Sequence, residues 1–212
     1  MPKTKHPPTI DATSRPRPLL TQRDEARLGP RHREVLDQLE SLFLAEGFAS
    51  VSVRELAAGV GCSRRTLYEL APSKDALVLV VLDRFLHRVG RTALDAIDPD
   101  SPVAEQLRAY YRGGRELQRQ TVVFSNDLAH DPAVRRLLDR HFRYVMAVTE
   151  HLVTSGIASG EFRPVTPTVV AGILAGGALY FNQPEVLGDL DRSNDAIFEE
   201  LIDLAIRAIK AA

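Results

Sequence analysis

Two arginines and a tyrosine stand close together in the stretch SRRTLYELAPSK. Guanidinium groups bind phosphate or guanine through two parallel hydrogen bonds, and a tyrosine hydroxyl can donate to phosphate. At 100° per residue, Arg64, Arg65 and Tyr68 fall on one side of a helix and the apolar Leu67 and Leu70 fall on the other. These residue types in this pattern indicate a surface that contacts nucleic acid.

The elements around this stretch are those that would hold such a helix in place. Ser52 and Glu55 have the spacing of a capping box, Ser63 starts another helix, and Gly61 lies at the bend between the two. Two short helices joined by a tight glycine turn form a helix-turn-helix pattern, which can place its second helix in a major groove. Lys74 follows in the first turn of the next helix, beside N–H groups that favour a phosphate.

Adjacent arginines also occur on plain solvated helix faces, so the joint pattern predicts DNA binding and the arginines alone do not. Glu69 counts against it, because a carboxylate repels phosphate unless it accepts a hydrogen bond from cytosine or pairs with a neighbouring arginine. The predicted DNA-binding residues are Ser52, Ser63, Arg64, Arg65, Thr66, Tyr68 and Lys74.

The rest of the chain predicts an all-α fold of about nine helices, because apolar residues recur at spacings of three and four residues. No alternation of apolar and polar residues, the pattern of a strand, is found. A proline-rich start opposes helix formation. After an N-terminal unit of three helices, a long fourth helix leads into a larger helical body. We expect further helices at about 102–119, 121–129, 132–156, 167–182 and 194–210.

Composition limits the function classes. The 212 residues carry a net charge of −1, but the first 33 hold eight Lys or Arg against three Asp or Glu, so a basic arm precedes a mildly acidic body.

A single cysteine, Cys62, excludes an internal disulfide and fits a reducing cytoplasm. The apolar run 169–181 is too short to span a membrane. No enzyme motif is found, and the histidines lack the spacing of a metal site, so we expect no catalysis, no metal and no cofactor.

The stretch FLAEGFASVSVRELAAGVGCSRRTLYELAPSKDAL resembles the DNA-binding domain of TetR-type (tetracycline-repressor-like) transcriptional regulators. Four positions depart from the family pattern: Val60, Cys62, Leu70 and Ala71. The last replaces an aromatic residue that wedges the recognition helix into the core in relatives. The positions that match the pattern are Gly47, Phe48, Ser52, Leu56, Ala57, Gly61, Ser63, Thr66, Leu67, Tyr68, Ser73, Lys74, Asp75 and Leu77.

The composition and turn signals divide the chain into a disordered basic, proline-rich tail at 1–27, a helix-turn-helix domain at 28–75 and a larger helical domain at 76–212. The basic tail has no counterpart in the family pattern, and contact of this tail with phosphates or the minor groove is an equal alternative. The resemblance implies that the last domain binds a ligand and dimerises. The implied function is that of a cytoplasmic, ligand-responsive transcriptional regulator that binds a palindromic operator as a homodimer. We expect it to act as a repressor. Two alternatives stay open: a DNA-bound factor that acts through a protein partner, and a helical small-molecule enzyme with a vestigial helix-turn-helix. The effector and the operator are not specified by the sequence.

A ligand pocket in the body would draw on aromatic and polar residues of its helices, although each of these also fits a plain core position. The candidates are Tyr110, Tyr111, Arg115, Phe124, Asn126, Asp127, His141, Phe142, Met146 and Tyr180.

Small residues one turn apart in the helix at 167–182 would let another helix approach closely. Three glycines within six residues each cost a helix about 1 kcal/mol relative to alanine, which calls for compensating packing. The predicted dimer contacts are Gly172, Ala175, Gly176 and Ala178, and packing within the chain is the alternative.

Overall fold

The computed structural model describes residues 15–116, 131–181, 183, 186 and 192–211. Nine α-helices and no strand lie in this part of the chain, which confirms the predicted all-α fold. Its one β-type contact is an isolated bridge between Phe162 and Lys210. The helices are α1 (Gln22–Arg27), α2 (Pro30–Glu46), α3 (Val53–Gly59), α4 (Arg64–Leu70), α5 (Lys74–Asp95), α6 (Val103–Gly113), α7 (Pro132–Ser159), α8 (Pro167–Phe181) and α9 (Asn194–Ile209).

The chain divides into two compact units. The first contains residues 17–89 and 120–139, and the second contains 1–16, 90–119 and 140–212. The long helix α5 passes from one unit to the other, so the predicted domain boundary at residue 75 lies inside the first unit. None of the helices in the described ranges combines the length and the apolar character that crossing a membrane requires.

The first unit begins with a helix that the sequence did not predict. The expectation of a disordered tail to residue 27 is wrong for residues 22–27, which form α1. Thr21 caps this helix by accepting a hydrogen bond from the Asp24 N–H at 3.2 Å. No proline lies between residues 18 and 30, which leaves this stretch free to fold.

Charged contacts hold α1 against the rest of the unit. The Arg84 guanidinium donates to the Glu25 carboxylate at 2.7 Å and to the Asp37 carboxylate at 3.2 Å, so one side chain of α5 joins α1 and α2. Just before α1, the Leu19 N–H donates to the buried Asp83 carboxylate at 2.7 Å. The segment 19–27 is therefore folded against the rest of this unit.

The core of the first unit rests on the apolar stripe of α2. Four of its residues, Val35, Leu36, Leu39 and Phe43, are buried, and the ring of Phe43 meets that of Phe48 edge-on at 5.8 Å. Burying a large apolar side chain contributes about 1.5–3 kcal/mol, so this stripe is the main support of the unit. The large, fully buried side chains of the unit are Val35, Leu36, Leu39, Phe43, Leu56, Leu67, Leu77 and Phe85.

The second unit is built around one apolar cluster. Within it, the hydroxyls of Tyr111 and Thr149 form a buried hydrogen bond of 2.9 Å, which satisfies both polar groups. The Glu161 carboxylate accepts from the N–H groups of Val103 and Ala104 at 2.7 and 2.9 Å and so caps α6 from a distant loop. The cluster includes Leu107, Val148, Leu152, Val153, Phe162, Val170, Leu174, Phe198, Ile202 and Ile206.

Gly113 marks a close approach of α6 to the end of α5. A Cβ atom at this position would lie 2.7 Å from the Ala93 Cα and 2.9 Å from the Thr92 carbonyl oxygen. We expect Gly113→Ala to lower the free energy of unfolding by about 1–3 kcal/mol, because the backbone must shift to admit the methyl group. Gly90→Ala is the matched control: no described atom lies within 4 Å of its Cβ position, so it should stabilise the helix by up to about 1 kcal/mol. Urea unfolding of both variants checks this, and equal effects would contradict the packing of α6.

Candidate nucleic-acid interface

The helix-turn-helix begins with the capping box that the sequence predicts. The Ser52 hydroxyl accepts from the Glu55 N–H at 3.3 Å, and the Glu55 carboxylate accepts from the Ser52 N–H at 2.8 Å. The Ser52 hydroxyl also donates to the Glu55 carboxylate at 2.6 Å, and this bond, followed by the one from the Ser52 N–H, holds the pKa of the Glu55 carboxyl below its usual value. Because it is used in the cap, Ser52 acts first as the residue that fixes the start of α3.

The turn between α3 and α4 depends on a left-handed backbone. Gly61 has φ +58°, a conformation that costs other L-residues about 1–2 kcal/mol. On the far side, the Cys62 N–H donates to the Ala57 carbonyl at 2.9 Å. From α2, the Arg31 guanidinium donates to the carbonyls of Gly61 at 2.7 Å and Val60 at 3.3 Å. The turn is therefore closed from both sides.

The helix α4 starts at Ser63, whose hydroxyl accepts from the Thr66 N–H at 3.1 Å and lies 3.0 Å from the Thr66 hydroxyl. Leu67 is buried and holds α4 against the core. Since one side of this short helix is fixed, Arg64 and Tyr68 are exposed on the other, and Tyr68 is 53% exposed.

Arg65 and Glu69 form an ion pair one turn apart on the exposed side of α4. The Arg65 Nε donates to one oxygen of the Glu69 carboxylate at 3.0 Å, and His32 of α2 contacts the other oxygen at 3.2 Å. These contacts, with Arg65 first, hold the pKa of the Glu69 carboxyl below its usual value. The negative charge that opposed DNA binding in the sequence is thus paired with a neighbouring arginine.

Lys74 has a partner within the unit. Its ammonium group donates to the Ala49 carbonyl at 2.9 Å and so links the start of α5 to the loop before α3. An ammonium group has three donors, which leaves two for a phosphate. Lys74 therefore fixes the loop in addition to its predicted role as a cation.

Ala71 follows α4 in an extended conformation and is 5% exposed, while Leu70 is half-buried. The small Ala71 side chain thus occupies the core position where the family pattern has an aromatic ring. Leu67 and Ala71 together hold α4 against the core of the unit.

Residues 35–81 match the family model described as bacterial regulatory proteins, tetR family. The chain therefore carries a segment that resembles the DNA-binding domain of this family. It is 32% identical over 106 residues to the HTH-type transcriptional regulator EthR of Mycolicibacterium smegmatis, in a match that covers 50% of this chain and 45% of that protein. It is 25% identical over 145 residues to the HTH-type transcriptional repressor KstR2 of Mycobacterium tuberculosis, covering 65% of this chain and 72% of the relative. These names agree with the prediction of a transcriptional regulator rather than an enzyme.

The likeness of fold also extends over the body of the chain. A transcriptional regulator from Saccharomonospora viridis, solved in complex with choline, superposes with a TM-score of 0.72. That match covers 85% of this chain and 98% of the other at 18% identity, which shows the shared fold and no more. The match to EthR spans less than half of that protein's length.

The predicted ligand residues fall in different surroundings. Burial raises the pKa of Tyr111 to about 12 and that of Tyr110 still further, so both phenols stay protonated at neutral pH. Arg115 contacts the Glu199 carboxylate of α9, and Tyr180 is 55% exposed. His141 is buried and Phe142 and Met146 are half-buried, whereas Phe124, Asn126 and Asp127 lie outside the described residues.

The predicted dimer contacts on α8 separate into two groups. Gly172 and Gly176 are exposed, and no described atom lies within 4 Å of their Cβ positions. Ala175 is 3% exposed and Ala178 packs on the core of its own unit. The prediction is therefore wrong for Ala175, because its own chain already covers it.

Arg31 and His32 are the residues of this site that the sequence did not single out. Both lie in the first turn of α2, and their partners are 30 and 37 residues away along the chain. An arginine and a histidine at a helix start carry no pattern that predicts such contacts, so only the fold identifies them.

The left-handed turn gives a direct test of how α4 is seated. Gly61→Ala should lower the free energy of unfolding by about 1–2 kcal/mol, because a Cβ atom disfavours positive φ. Gly61→Asn should cost less, since asparagine tolerates this conformation better than alanine does. Urea unfolding of the two variants measures the difference, and an alanine variant as stable as the asparagine variant would contradict the left-handed turn.

Proposed function

We propose that the chain is a dimeric transcriptional repressor that binds a palindromic operator through α4 and is released by a small molecule. The observation that carries the proposal is the exposed side of α4, where Arg64, Arg65 and Tyr68 project from a helix that is capped at Ser63 and held by the buried Leu67. A rigid short helix with two guanidinium groups suits the major groove, which is about 12 Å wide.

Phosphate contacts would surround this helix. Arg64 has no hydrogen bond or ion pair to any residue in the described ranges and can turn toward the DNA backbone. Lys74 lies at the start of α5, where helix N–H groups add to the attraction for an anion. Such contacts fix the register of the protein on DNA, while side chains in the groove read the bases.

The dimer is supported by an apolar stripe along α8. Val169, Ile173 and Tyr180 are each more than half exposed, and they follow one another at helical spacing with Gly172 and Gly176 on the same side. Leu204 of α9 is likewise 58% exposed. An apolar stripe of this kind is typical of a protein interface, and a second copy of the chain, related by a two-fold axis, would cover it with the same two helices.

A small-molecule effector is supported by the fold neighbour that was solved with choline. The effector would bind in the helical body, among the aromatic and polar residues that the sequence predicts for a pocket. Binding there would shift α5, which enters both units, and so change the spacing of the two recognition helices. Coupling of this kind is typically worth about 1–3 kcal/mol.

The role of α4 can be tested through the salt dependence of operator binding. Arg64→Ala should weaken binding about tenfold and lower the slope of log K against log salt by about one, because one phosphate contact and its counterion release are lost. Arg136→Ala, which removes an exposed arginine of α7, is the matched control and should change neither. Fluorescence anisotropy at several salt concentrations measures both quantities. Unchanged affinity and slope in an Arg64→Ala, Lys74→Ala double variant would refute the assignment of this surface.

The dimer surface can be tested with a single charge. Ile173→Glu should convert the protein to a monomer and weaken operator binding, because a buried unpaired carboxylate opposes association. Leu19→Glu places the same charge on an exposed leucine of the other unit and should leave the dimer intact. Light scattering coupled to gel filtration gives the mass of each variant. A dimeric Ile173→Glu protein would show that the stripe on α8 is not the interface.

A further inference from the structure

Glu69 is the one acidic side chain on the side of α4 that carries Arg64, Arg65 and Tyr68. It is 47% exposed at its side chain, so it would meet the same polyanion as the arginines. A free carboxylate there would weaken binding to every DNA sequence alike. The contacts of the Glu69 carboxylate indicate a second effect, which offsets this loss of affinity.

Arg65 would be a long and mobile side chain without Glu69. Its side chain is 89% exposed, and the Glu69 carboxylate is its partner, at 3.0 Å from Nε. Because the bond uses Nε–H, the two terminal nitrogens keep their donors. Those two nitrogens form the fork that matches O6 and N7 of guanine.

His32 fixes the other oxygen of the same carboxylate. Its Nε2 lies 3.2 Å from Glu69, and since a carboxylate only accepts, His32 is the donor in this bond. His32 belongs to α2, the helix that carries the core of the unit and whose Arg31 closes the turn before α4. The carboxylate is thus tied to the frame of the domain as well as to its own helix.

We propose that His32 and Glu69 are positioning residues that orient Arg65 to read one guanine of each operator half-site, whereas Arg64, which has no such support, contacts phosphate. This inference rests on the proposed function, since it assigns roles within the same interface. Glu69 raises selectivity and lowers affinity for DNA in general, because it orients one guanidinium group while its charge repels the backbone.

The test is selection of bound duplexes from a random library by the full-length protein, followed by affinity measurements on the selected site and on its single-base variants. Arg65→Ala identifies the base position that Arg65 reads and should reduce preference there about 5- to 100-fold. Glu69→Ala and His32→Ala should reduce preference at that same position about 2- to 5-fold, the range expected when an exposed ion pair is lost.

Two further measurements separate orientation from a loss of folding. Glu69→Ala should bind unrelated DNA more tightly than the wild type while it selects less well, and a folding defect would lower both. Glu69→Gln and His32→Gln keep an acceptor and a donor and should recover much of the preference. Glu46→Ala removes an exposed carboxylate at the end of α2 and is the matched charge control, with no expected change in base preference.

The outcomes distinguish this inference from the proposed function. If the wild type selects no sequence, the proposed function itself is overturned. If the wild type selects a palindrome but Glu69→Ala and His32→Ala keep its full base preference, the positioning role is overturned. The same holds if Arg65→Ala loses no base preference, or if Glu69→Ala alters a position other than the one that Arg65 reads, which would mean that the carboxylate contacts a base itself.

Discussion

The hydrogen bond from Arg31 to the Gly61 carbonyl is the constraint on which the interface depends. It joins the first turn of α2 to the left-handed turn and so fixes the point from which α4 starts. The buried Leu67 then determines which side of α4 faces inward. With only seven residues, α4 is too short to be stable alone, so its direction comes from these two supports. The side chains proposed to meet DNA are positioned only because the turn is closed.

Charge in this domain is arranged locally, since a chain of net charge −1 has no overall attraction to a polyanion. Lys74 is held by the Ala49 carbonyl and Arg65 by Glu69, so two of the cations are ordered before any partner arrives. Ordering a long side chain on binding costs about 0.5–1.5 kcal/mol, and side chains that are already ordered avoid part of that cost. Arg64 keeps its freedom, which suits contact with a backbone of variable shape.

The sequence was sufficient where the signals are local. The box of Ser52 and Glu55, the cap at Ser63 and the turn at Gly61 follow from neighbours within three residues, and the structure has all of them. Helix α1 was missed because its support is the distant Arg84, 59 residues from Glu25. The inward side of α8 was also unpredictable, because that helix is apolar all round and its sequence does not show that Ala175 faces the core. Long-range contacts, and the choice of the inward side in a helix that has no polar side, are determined by tertiary packing alone.

The glycines of α8 sharpen the case for a partner copy. A Cβ atom on Gly177 would lie 2.7 Å from the Leu201 side chain, so packing against α9 within the chain accounts for that residue. Gly172 and Gly176 have no such neighbour among the described residues, yet each costs the helix about 1 kcal/mol relative to alanine. Both are exposed beside Val169 and Ile173, so alanine would fit there in the single chain and would stabilise it. A close approach by a second helix is the physical reason that would favour glycine at both positions, and the two-fold symmetric contact in the proposed dimer supplies it.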